Sequence, residues 1–171
     1  MSGQAPEGME AWMIAGSPGE HHKRLEPMVG SWKARVSWWA APGAPPQVSD
    51  GAMTAEWILG GRFVKETFES YSPEMPFQGM GLYGYDNLRG KYSSTWVDSM
   101  STGMMVSEGT SIDSGTGFEF EGEYLDAGTK EPVKTRMVLT LENQDRHVFT
   151  MYEPTPEGGE RKGLEIVYTR L

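Results

Sequence analysis

Phe118-Glu119-Phe120-Glu121-Gly122-Glu123-Tyr124 sets aromatics at 118, 120 and 124 against carboxylates at 119, 121 and 123. A period of two, apolar on one side and charged on the other, is an antiparallel strand with one face buried and one in water. The pattern recurs on both sides of this stretch. Upstream, Trp32, Ala34, Val36 and Trp38 alternate with Lys33, Arg35 and Ser37. Asp50 to Ile58, Arg62 to Ser70, Phe77 to Tyr85, Lys91 to Val97 and Met104 to Ile112 then read as strands. Downstream come Val133 to Leu141, Arg146 to Glu153 and Leu164 to Arg170. Gly60-Gly61, Asp86-Asn87-Leu88-Arg89-Gly90 and Asp113-Ser114-Gly115-Thr116 separate them, in residues that tolerate positive φ. Ten short strands with no long helical pattern among them predict an all-β protein, a single antiparallel up-and-down barrel closed into a calyx.

Two short helices are expected ahead of the barrel. Pro6 to Ile14 has amphipathic character. Ser17-Pro18-Gly19-Glu20 offers a capping Ser, a Pro at the first helical position and a Glu three residues after the cap. That second helix is expected to run over His21–Leu25 and stop near Pro27, leaving Leu25, Met28 and Val29 to plug one barrel end. Residues 1–16 read as an N-terminal extension and 17–171 as one barrel domain.

The formal net charge of −9 is dispersed, which disfavours nucleic acid and anionic lipid as partners. No stretch approaches the roughly 18 apolar residues of a membrane helix. The first residues lack a basic segment followed by an apolar core, so no leader is expected. With no cysteine, disulfides and thiolate chemistry are excluded and a reducing cytoplasm fits.

Several strings together resemble a bacterial family known only as domain of unknown function 1579. They are Pro18-Gly19-Glu20-His21-His22-Lys23-Arg24-Leu25, Gly30-Ser31-Trp32, Leu59-Gly60-Gly61-Arg62-Phe63 and Pro76-Phe77-Gln78-Gly79. Tyr83-Gly84-Tyr85-Asp86-Asn87, Tyr92-Ser93-Ser94-Thr95-Trp96-Val97-Asp98-Ser99-Met100 and Tyr168-Thr169-Arg170 complete the set. The resemblance implies a bacterial source and a lipocalin-like barrel, and no established activity or catalytic set. Gly30-x-Trp32 in the first strand with Arg170 in the last also resembles the calycin arrangement, in which a Trp closes one end and an Arg packs across its face.

Motifs with chemical overtones dissolve in this context. Gly79-Met80-Gly81-Leu82-Tyr83-Gly84 matches GxGxxG, but a β-turn follows it instead of the helix that would hold a pyrophosphate. Asp113-Ser114-Gly115 lacks the second copy an aspartic protease needs and reads as a hairpin loop. No GxSxG or HExxH is present. His21 and His22 diverge by about 100° on a helix and do not chelate. No cofactor is expected. Haem is the one group with a candidate axial ligand, His147. Haem-binding barrels of the nitrobindin type use a His near the C-terminus, and residues 164–171 contain none.

The favoured expectation is non-catalytic binding of a small, largely apolar molecule inside the barrel. Tyr85, Trp96, Met104, Arg136, His147 and Phe149 are expected to line the site, with Arg136 and His147 orienting a polar end. A rival expectation is a small-molecule enzyme with Glu66, Asp98 or His147 as acid or base. A third is a filled barrel that works through a homodimer surface, since Trp38 and Trp39 must point to opposite sides of their strand.

Overall fold

In a computed structural model that describes residues 8–74, 76–113 and 115–171, ten antiparallel strands form one closed barrel. They are β1 (Gly30–Trp38), β2 (Gln47–Ile58), β3 (Phe63–Ser70), β4 (Gln78–Asp86) and β5 (Lys91–Asp98). β6 (Met105–Ile112), β7 (Gly117–Leu125), β8 (Pro132–Asn143), β9 (Arg146–Pro154) and β10 (Glu160–Arg170) follow. Each strand pairs with its sequence neighbours, and β1 closes on β10 with Trp32 opposite Arg170. Closure gives each strand a neighbour on both sides, so the sheet has no edge strand.

Strand limits differ from the sequence reading where glycine or proline blurs the alternation. β2 starts at Gln47, and β10 starts at Glu160 because a bulge between Lys162 and Leu164 shifts the phase. That bulge reverses which side Arg161 takes relative to Leu164, Ile166 and Tyr168.

The helical segment differs more. α1 (Met9–Ala15) agrees with the expected first helix, whose residues 6 and 7 lie outside the described part. The second helix, α2 (Glu20–Lys23), is capped by Gly19 and not by Ser17: the Gly19 N–H donates to His22 Nδ1 at 3.0 Å. The Ser17 hydroxyl instead donates to the Met13 carbonyl at 2.6 Å and closes α1. Pro27 falls inside a 3-10 turn (Glu26–Met28) that delivers Leu25 and Met28, both fully buried, into the barrel end.

Inward glycines on several strands are covered by an aromatic from the next strand. A Cβ on Gly79 or Gly81 would collide with the Trp96 ring, one on Gly51 with Phe68, and one on Gly109 with Phe120. The GxGxxG letters therefore mark the bed on which an indole lies.

Candidate functional site

The floor of the barrel is built around Trp32. Its ring is fully buried and its N–H donates to the Met28 carbonyl at 2.9 Å. The Arg170 guanidinium carbon lies 4.0 Å from the ring centroid, and its N–H groups donate to the carbonyls of Val29, Pro27 and Gln144. Gly30 has a φ of +140°, and the guanidinium occupies the place its Cβ would take, which accounts for Gly-x-Trp. His147 sits on this floor, edge-on to Trp32 at 4.3 Å and stacked on Tyr168 at 4.5 Å. Burial, helped by the Arg170 charge, lowers its pKa from 6.5 to about 4, so the imidazole is neutral. Its Nδ1 is buried with no hydrogen-bond partner among the described residues.

Above the floor the inner wall is arranged in rows set by strand register. One row runs Phe118, Leu139, Phe149, Ile166, Val36, and the next Phe120, Met137, Met151, Leu164, Trp38. Both are apolar. The helix-side half of the interior is packed solid, with Trp32, Val64, Tyr92 and Phe118 at 2 % exposure or less. The other half is a cup: Val36, Phe149, Met151 and Ile166 face inward yet remain half-buried, and Trp38 on the rim is 45 % exposed.

The third row is polar. Tyr83 lies opposite Ser94, Ser94 opposite Ser107, Ser107 opposite Gly122 and Gly122 opposite Thr135. The β8–β9 register, with Arg136 opposite Tyr152, brings Thr135 beside Glu153, and Glu153 is opposite Arg161. Ser94 and Ser107 hydrogen-bond to each other, while the Thr135 hydroxyl is buried with no partner among the described residues. At the rim Arg161 donates to Glu153 at 2.7 Å and to the Trp39 carbonyl at 2.9 Å, and the Tyr124 hydroxyl donates to Glu153 at 3.3 Å. In the adjacent row, in register with Ala55 and Gly81, stands Glu66, 5 % exposed, with the Tyr83 phenol as its hydrogen-bonding neighbour. Burial raises its carboxyl from 4.5 to about 7.

The residues expected to line one site do not share one. Trp96 and Phe149 face the cup, and the Trp96 N–H donates to Asp98 on the rim at 2.9 Å. His147 lies beneath, on the floor. Tyr85 is at the helix end, stacked on His21 at 4.2 Å. Met104 is 65 % exposed ahead of β6, and Met105 takes the inner position, a one-residue displacement that reverses the face. Arg136 is on the outer wall, paired with Glu160 and Glu119 and lying over Tyr152 at 4.3 Å. It shares parity with Val138, whereas the inner face of β8 is Thr135, Met137 and Leu139. Glu66, Asp98 and His147 stand at the middle, rim and floor and do not converge.

Glu153, Arg161, Tyr124 and the Ser94–Ser107–Thr135 row were missed by sequence reasoning. The parity of Ser94 with Tyr92 and Trp96, and of Thr135 with Met137, carried the signal for the row; the bulge hid Arg161. Two open clefts, of about 380 and 400 Å³, lie outside the barrel against the helices. The larger is lined by Trp12, Arg62, Tyr85 and Leu88 among others. Among the described residues no cluster of three or more His, Asp or Glu side chains has metal-binding geometry, and no helix is long and apolar enough to cross a membrane.

These features define the class: a closed ten-stranded antiparallel barrel with a Trp–Arg floor, a helical plug and a cup at the opposite end. The chain belongs to the family described as "Protein of unknown function (DUF1579)", whose model matches residues 17–170. No curated protein matches it. Among solved structures it is similar to Rv2717c from M. tuberculosis, with 15 % identity, 91 % of this chain and 99 % of that chain covered, and a TM-score of 0.62. It is also similar to the S-type phycobiliprotein lyase CPES from Guillardia theta, with 12 % identity, coverage of 93 % and 96 %, and a TM-score of 0.60. At these identities the likeness is one of fold.

Proposed function

We propose that this protein binds a small, largely apolar molecule in the cup and carries out no reaction on it. The observation behind this reading is the asymmetry of the interior. One half is filled by its own side chains, and the other leaves inward-facing Val36, Phe149, Met151 and Ile166 partly open beneath an exposed Trp38. Apolar surface left uncovered at about 25 cal/mol per Å² is a standing driving force for a ligand. An apolar wall with a few placed polar groups is the usual make-up of a binding pocket. A catalytic reading finds less support, because Glu66, Asp98 and His147 do not meet at one reacting point. A lipocalin-like carrier or sensor in the cytoplasm is the role we assign.

The test is titration with the neutral dye Nile red, followed by its own emission and by quenching of tryptophan. Saturable binding that is lost in Ile166→Arg and retained in the outer-wall variant Arg136→Ala supports the cup. Absence of binding to the wild type, or loss only in the outer-wall variant, overturns it.

A further inference from the structure

Three features of the inner wall constrain what the cup takes, and the argument rests on the cup being a binding site. First, Glu66 is a buried carboxyl on the inner face of β3, and among the described residues no cationic side chain pairs with it. The groups that face it are the phenols of Tyr83 and Tyr168, both of which feel its charge. Second, among the described residues the inner wall above the Trp32 floor carries one cation, Arg161, and Glu153 already neutralises it at 2.7 Å. Third, the Thr135 hydroxyl, 2 % exposed, has no partner among the described residues and lies in the polar row that runs from Tyr83, the neighbour of Glu66, towards Arg161.

A ligand carboxylate would find no free cation on this wall and would meet the field of a chain with net charge −9. A protonated amine would find the reverse: a carboxyl without a counter-ion, flanked by two phenols that accept and donate. We infer that the cup selects apolar amines, whose alkyl or aryl body lies on the Phe149–Ile166–Val36 wall while the nitrogen reaches Glu66 and the polar row. Ion pairing in a site with little water is stronger than at a surface, so the nitrogen sets both orientation and selectivity.

The experiment is isothermal titration calorimetry with n-octylamine, n-octanol and octanoate at pH 7.5, on the wild type and Glu66→Gln. The two proteins differ by one atom and one charge, and Gln needs no counter-ion to stay buried. Octylamine is expected to bind the wild type about tenfold or more tightly than octanol, the value of one charged hydrogen bond. In Glu66→Gln that preference should collapse while octanol affinity is unchanged. Equal binding of octylamine and octanol to the wild type, tighter binding of octanoate, or a preference that persists in Glu66→Gln overturns the amine assignment and leaves the cup standing. If none of the three binds the wild type, the cup reading itself falls.

Discussion

Glu66 and His147 are two buried titratable groups whose effects on stability oppose each other across one pH window. Glu66 has its carboxyl pKa raised from 4.5 to about 7 by burial beside Tyr83, with Tyr168 also facing it. The folded chain therefore holds a proton that the unfolded chain releases above pH 4.5. Its contribution is complete below 4.5 and is lost as pH rises towards 7. His147 has its pKa lowered from 6.5 to about 4. The unfolded chain takes up a proton below pH 6.5 that the folded chain refuses, so this contribution is complete above 6.5 and is lost as pH falls towards 4. Each slope is about 1.4 kcal/mol per pH unit, and each sums to about 3 kcal/mol over its window. Between pH 4.5 and 6.5 the slopes have opposite sign and cancel.

The cancellation makes the wild type uninformative and the variants diagnostic. Removing one group exposes the slope of the other. Urea unfolding from pH 4.5 to 7.5 should show Glu66→Gln becoming more stable than wild type as pH rises, by about 3 kcal/mol at pH 7.5 relative to the difference at pH 4.5. His147→Phe should show the opposite, gaining on the wild type as pH falls. A change in packing would move either curve up or down without tilting it. The double variant should restore the wild-type slope. Curves for Glu66→Gln and wild type that run parallel over the whole range would show that Glu66 is not buried as a lone carboxyl, and the amine assignment would lose its anchor.

Further outcomes follow from single contacts. Arg170→Ala should cost about 1–3 kcal/mol, from the guanidinium over Trp32 and its carbonyl hydrogen bonds, and Trp32→Ala about 3–5 kcal/mol. The double mutant, measured by the same urea method, should cost less than the sum because the two share one contact, and strict additivity would contradict the floor described above. Gly79→Ala drives a methyl group into the Trp96 ring and should destabilise by about 1–3 kcal/mol with a shifted tryptophan emission; an unchanged spectrum would count against the indole-over-glycine bed. Arg136→Ala, which removes exposed pairs to Glu160 and Glu119, should change thermal stability by about 1 kcal/mol or less and leave Nile red binding intact.

The barrel was legible because strand alternation is a local signal. Lys91 to Val97 and Gly117 to Tyr124 needed no partner to reveal their faces, and Trp32 with Arg170 at the two ends announced the closure that the register then displays. Ten strands in nearest-neighbour order follow from short loops, since a short connection leaves a strand little choice of partner. What failed was phase. Arg136 was read inward although it alternates with Met137, and Met104 was read as the first strand residue although the strand begins one residue later. In a period-two structure, an error of one residue exchanges wall for interior.

The site was less legible because its logic runs across strands. Ser94, Ser107 and Thr135 are unremarkable in their own segments, each a small polar residue beside other polar or charged residues such as Thr95, Glu108 and Lys134. They become a row once register lays β4 to β8 side by side, and register is fixed by loop lengths, bulges and packing that no single segment contains. The bulge before Leu164 shows this most clearly. The bulge absorbs Gly163 and so keeps Arg161 on the inner face opposite Glu153, which neutralises the cation a carboxylate ligand would have used, while the buried Glu66 has no cationic partner among the described residues. The selectivity assigned to the cup therefore rests on a bulge as much as on a carboxyl. Arg161→Ala should free Glu153 and give a barrel with two inner carboxyls, Glu66 and Glu153, that face no cationic partner among the described residues. That variant should bind octylamine more tightly than wild type, provided it folds with the same circular dichroism spectrum. Weaker octylamine binding by a folded Arg161→Ala variant would show that the Arg161–Glu153 pair positions the ligand and does not merely neutralise the rim.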